Sequence, residues 1–127
     1  MDPTEKRLYP RLALKIEDGF FGQFKLPDSK TFSAAVVNLS AGGVNLAVPE
    51  KIQHKIKENE VMLLRNIIGA TRLAFLEDIK SEVRWIKPME RPTYLSVGCR
   101  FVELKDAVRT QLQKFVDTER MTRGQYA

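Results

Sequence analysis

The chain has one cysteine, Cys99, and one histidine, His54. A lone cysteine excludes an intramolecular disulfide and fits a reducing compartment. Without a second histidine or a cysteine cluster, zinc sites of the usual kinds are excluded. His54 stands in the most hydrophilic stretch, Lys51-Ile52-Gln53-His54-Lys55, where nothing builds a Ser-His-Asp site around it. Gly42-Gly43 is followed by no Gly-Lys-Ser or Gly-Lys-Thr, so it is not a phosphate loop. An enzyme is therefore not expected. No apolar run approaches the length of a membrane span. Met1-Asp2-Pro3-Thr4-Glu5-Lys6 lacks the apolar core of a signal peptide, and the expected location is the cytoplasm. Lysine and arginine outnumber aspartate and glutamate by 21 to 16, for a net charge of +5. These cations are dispersed among acids and form no long run, which weakens a polyanion-binding reading.

What is present describes a single soluble domain. At 127 residues, 43% hydrophobic and 29% charged, the chain can bury a core without disulfides. Its centre is Val36-Val37-Asn38-Leu39-Ser40-Ala41-Gly42-Gly43-Val44-Asn45-Leu46. Phe32, Ala34 and Val36 alternate with Ser33, Ala35 and Val37. Val44, Leu46 and Val48 alternate with Asn45 and Ala47. Period-two alternation on both sides of a small polar turn predicts a hairpin. Gly42 or Gly43 is suited to a positive φ. Asn38 and Ser40 can bond nearby backbone or point outward. On one face, they would flank open backbone against which a flat ligand fits.

Residues 1–11 are charged, contain Pro3 and Pro10, and show no periodicity, which predicts a mobile arm. Leu12, Leu14 and Ile16 begin a strand, Asp18-Gly19 marks a bulge or bend, and Phe20, Phe21 and Phe24 resume it. Pro27-Asp28-Ser29-Lys30 is a turn, and residues 50–59 are a loop or short helical turn. Further strands are expected over Val61 to Asn66, Arg72 to Glu77, Ile79 to Ile86 and Tyr94 to Glu103. Trp85 could serve as a base-stacking platform, but its alternation with Ile79 and Val83 favours a core position. Cys99, between Val97 and Phe101, reads as a small buried hydrophobe. Leu104, Val108, Leu112 and Phe115 form one stripe of a helix from about Lys105 to about Met121. The expected organisation is an arm (1–11), a mainly β barrel or sandwich with a helix capping its open end (12–121), and a frayed tail (122–127).

Arg7 and Arg11 are separated by Leu8-Tyr9-Pro10, just ahead of the first strand. Asn38-x-Ser40-x-x-Gly43 follows between two adjacent strands. Together with Val83-Arg84-Trp85 and Ser96-Val97-Gly98-Cys99-Arg100-Phe101, this order resembles the PilZ domain family of bacterial cyclic di-GMP receptors. The resemblance runs from about Lys6 to Phe115. It implies a six-stranded antiparallel β-barrel with a C-terminal α-helix. It also implies a cyclic di-GMP site: Arg7 and Arg11 on phosphates and guanine edges, Asn38 and Ser40 at a guanine or its surroundings, and Gly43 leaving the surface open. Asn38 stands where many members have aspartate. Lys6 is a candidate contact for a second, stacked nucleotide.

With little chain before Arg7 or after the helix, a separate protein partner is expected to read the bound state. Neither DNA nor RNA binding nor membrane insertion is expected. Two alternatives remain, an adaptor that keeps the fold without using the nucleotide and a small nucleic-acid-binding barrel. The second needs several exposed aromatics on strands.

Overall fold

The computed structural model describes residues 9–90 and 93–125. These residues form strands β1 (Leu12–Ala13), β2 (Phe21–Lys25), β3 (Thr31–Ser40), β4 (Gly43–Pro49), β5 (Val61–Ile68), β6 (Ile79–Pro88) and β7 (Tyr94–Val102), then helix α1 (Asp106–Thr122). Every pairing is antiparallel. The neighbours run β3, β2, β5, β6, β7, β4 and back to β3, so six strands close into a barrel. Closure removes the unpaired strand edges that an open sheet would expose.

β1 and β2 occupy the same edge of β3 in succession. Leu12 and Ala13 face Leu39 and Asn38, whereas Phe21 to Lys25 face Ala35 to Thr31. Between them lies a 3-10 turn at Ile16–Asp18, in which the Lys15 N–H donates to Asp18 Oδ2 at 2.7 Å. The bend expected near Asp18-Gly19 is thus a single turn interrupting one line of chain. The strand expected over Arg72 to Glu77 is not formed. A 3-10 turn at Thr71–Leu73 stands there instead. Leu73 and Leu76, both at 0% exposure, are three residues apart, which is a helical spacing rather than alternation.

The core joins inward-facing strand residues such as Leu12, Phe24, Val36, Leu46, Val83 and Val97 to Leu112, Phe115 and Val116 of α1. Each such side chain contributes roughly 1.5–3 kcal/mol on burial. The helix lies against β1, β3 and the Thr71–Leu73 turn. It ends with the Gly124 N–H on the Met121 carbonyl and the Gln125 N–H on the Arg120 carbonyl, a Schellman closure. Gln125 is thereby set against β1. Its Oε1 accepts the Ala13 N–H at 2.8 Å, and its Nε2 donates to the Ala13 carbonyl at 3.0 Å.

Candidate ligand-binding face

A bulge makes this face. Along β3, Val36, Asn38 and Ser40 have the same parity, so an unbroken strand would turn all three to one side. The pairing with β4 shifts instead between Val36, opposite Leu46, and Asn38, opposite Asn45. Val37 is the extra residue. Leu39 enters the core at 0% exposure, and Asn38 and Ser40 alternate to the opposite side of the strand, Asn38 half-buried and Ser40 covered to 8% exposure.

The register extends this face across the sheet. One row runs Ala13, Asn38, Asn45, Gly98, Trp85; the next runs Ser40, Gly43, Arg100, Glu82. Arg11 is exposed and, one residue before the Leu12–Leu39 pair, comes level with Ser40. Four residues singled out from the sequence, Arg11, Asn38, Ser40 and Gly43, therefore meet on one face. Arg7 and Lys6 lie outside the described residues.

Ser40 and Gly43 flank the two-residue turn Ala41-Gly42, and Ser40 Oγ accepts the Gly42 N–H at 3.1 Å. That bond leaves the hydroxyl proton unused. Neither Gly42 nor Gly43 has a positive φ, contrary to the sequence expectation. Close approach explains both. A Cβ at Gly43 would collide with the Cys99 carbonyl oxygen, and one at Gly42 would lie 2.9 Å from Cδ2 of Tyr9. Tyr9 also has the Arg109 guanidinium 5.3 Å from its ring centroid, while Arg109 Nη1 donates to the Ala41 carbonyl at 2.8 Å. The sequence expectation missed Tyr9 and Arg109, because only tertiary packing brings the arm and α1 to the hairpin tip.

A second bulge corrects the placement of Trp85. The β6–β7 register shifts between Val83, opposite Cys99, and Trp85, opposite Gly98. Val83 stays in the core and Ile86 packs against it, but Trp85 falls on the outer side. Its indole occupies the space where a Gly98 side chain would be, with Lys87 Nζ 5.0 Å from its ring centroid. A glycine in the interior of the next expected strand, Gly98, was the available signal of a close approach.

Arg100 Nη2 binds Glu82 Oε1 at 2.9 Å, and Arg84 reaches the same oxygen at 3.3 Å. The Arg100 bond chiefly holds the Glu82 carboxyl below its ordinary value, against an opposing effect of burial and with help from Arg84. Cys99 is buried, and desolvation pushes its thiol up to about 12. No group of three or more potential metal ligands occurs among the described residues. A hollow of about 700 Å³, lined by Gln23, Ser33, Arg65, Asn66 and Asp78 among others, includes none of the motif residues. Motif chemistry rather than concavity identifies the candidate face.

A family model described as PilZ domain matches residues 5–118. The chain belongs to the PilZ domain family. No curated protein matches it. Among solved structures, this PilZ chain is similar to the MrkH–c-di-GMP complex of K. pneumonia, at 15% identity and a TM-score of 0.75, covering 98% of this chain and 57% of that chain. It is similar to the PilZ domain of YcgR from Escherichia coli with c-di-GMP, at 20% identity and a TM-score of 0.74, covering 94% and 96%. It also resembles the Bacillus subtilis inhibitor of motility, MotI/DgrA, at 16% identity and a TM-score of 0.70, covering 93% and 52%. The chain thus spans little more than half of MrkH and MotI/DgrA but nearly all of the YcgR PilZ domain. At these identities the likeness is one of fold, and the closed six-stranded barrel with a C-terminal helix agrees with the sequence expectation.

Proposed function

We propose that this PilZ chain is a receptor for cyclic di-GMP that performs no chemistry of its own. The observation that carries this reading is the convergence of Arg11, Asn38, Ser40 and Gly43 on one outer face. Two of the similar structures, MrkH and the YcgR PilZ domain, are c-di-GMP complexes. The residue chemistry fits the ligand. Arginine's planar fork binds phosphate at two points and also bonds guanine at O6 and N7. The Asn38 amide offers both donors and an acceptor, and Ser40 retains a donor. Arg7 joins from the arm, and Gly43 adds no side chain to the face. Lys6 offsets the charge of a second, stacked nucleotide. Arm closure over the barrel then forms a surface read by a protein partner in the bacterial cytoplasm.

Calorimetric titration with cyclic di-GMP, cyclic di-AMP and GTP tests the ligand assignment. A bidentate contact discriminates bases by about 1–3 kcal/mol, so cyclic di-GMP should bind at least about fivefold more tightly than cyclic di-AMP. Equal affinity for the two would rule out guanine recognition. No binding of either would favour the adaptor reading. A stoichiometry of two that falls to one in Lys6→Ala would support the second-nucleotide role.

A further inference from the structure

We infer that Arg109 is a positioning residue for the ligand-binding arm, acting through Tyr9 and resting on the receptor reading above. Tyr9 sits midway between Arg7 and Arg11, two residues from each. Two residues span at most about 7 Å of chain, so the position of the Tyr9 ring limits where both arginines can reach. That ring is held from two elements. On the hairpin side, Gly42 has no side chain, and a Cβ there would be 2.9 Å from Tyr9 Cδ2. On the helix side, the Arg109 guanidinium is 5.3 Å from the ring centroid.

The same guanidinium donates from Nη1 to the Ala41 carbonyl at 2.8 Å. One planar group thus links α1, the hairpin that carries Ser40, and the centre of the arm. Arginine suits this because its plane can lie over a ring while its edge donates a hydrogen bond. Its place on the helix is also informative. Arg109 lies in the first turn of α1, with its N–H on the Lys105 carbonyl. A cation there opposes the helix macrodipole, so the dipole does not account for its charge at this position. The tertiary contacts do.

Tyr9 and Arg109 then act as a single unit, without contact between Arg109 and the nucleotide. Cyclic di-GMP titrations of the full chain test it, with melting temperatures measured for every variant. Arg109→Ala and Tyr9→Ala should each weaken binding about five- to tenfold, and the double variant should be no weaker than either single. Tyr9→Phe keeps the ring and should bind like wild type. Arg109→Lys keeps the charge but loses the planar fork, and should fall between wild type and Arg109→Ala.

Wild-type affinity in Arg109→Ala overturns the inference. So do additive losses in the double variant, or full rescue by lysine alongside a harmless Tyr9→Ala, which would mark Arg109 as a direct phosphate contact. If wild type itself fails to bind, the receptor reading fails, and amide exchange in the free protein decides the positioning role. Faster exchange at Arg11 and Leu12 in Arg109→Ala supports it, and unchanged exchange overturns it.

Discussion

At Ser40 a single hydroxyl serves both the turn and the proposed ligand. Its oxygen accepts the Gly42 N–H at 3.1 Å. Ser40→Ala removes that bond, a loss of about 0.5–1.5 kcal/mol, together with one ligand contact. The melting temperature should drop by about 2–8 °C, and cyclic di-GMP affinity should drop by about tenfold, read by calorimetry on the folded variant. Asp18 makes a separate prediction. The Lys15 backbone N–H chiefly, then Arg123, hold its carboxyl below the ordinary 3.8, with burial opposing. The folded pKa lies below the unfolded one, so in acid the unfolded state binds more protons than the native state. The stability Asp18 contributes is present above the unfolded value and is lost as pH falls through the folded one. Asp18→Asn should therefore destabilise at pH 7 and lose less stability than wild type between about pH 5 and pH 2, in urea melts across that range. An equally steep acid loss in the variant would assign the effect to other carboxylates.

Strands and helix were legible in the sequence wherever alternation or a helical stripe continued without a break. The hairpin of β3 and β4 follows from its alternating faces, and α1 follows from the Leu112 and Phe115 stripe. The bulges at Val37 and Arg84 were not legible. Phe32, Ala34, Val36, Asn38 and Ser40 share one parity, and nothing in that string marks Val37 as the residue that drops out of phase. The same holds at Arg84, which is why Trp85 reads as core and lies outside. Leu73 and Leu76 failed for the opposite reason, since their three-residue spacing is helical within a stretch too short to display it. The β6–β7 bulge gives a direct test. In Gly98→Ala the new methyl meets the Trp85 indole, and overpacking of this kind costs about 1–3 kcal/mol. Denaturant melts should register that loss, and Trp85 fluorescence should shift to the red as the ring is displaced. Unchanged stability and emission would mean that the ring does not lie on Gly98.

At the scale of the whole molecule, the barrel is a platform to which both ends of the described chain are fastened. Tyr9 meets Gly42 and Arg109, and Gln125 clasps Ala13 through two hydrogen bonds. New protection on binding is therefore expected ahead of Tyr9 rather than across the entire arm. Hydrogen exchange with and without cyclic di-GMP should show new protection in residues 5–8 and near 38–43, and little change in β7. The ligand can favour closure only by its preference for the closed arm. Uniform tightening of the barrel would contradict an arm-based switch. In the proposed site the arm arginines and the Asn38–Ser40 face hold cyclic di-GMP between them. The most direct test of that arrangement is a calorimetric titration of cyclic di-GMP into wild type and into the Arg7→Ala, Arg11→Ala double variant, with folding verified by circular dichroism. Charge-assisted hydrogen bonds contribute about 1.5–3 kcal/mol each. Wild type should bind saturably, and the folded double variant should lose at least about a hundredfold in affinity. Wild-type affinity in that variant, or no binding by wild type, would contradict that arrangement.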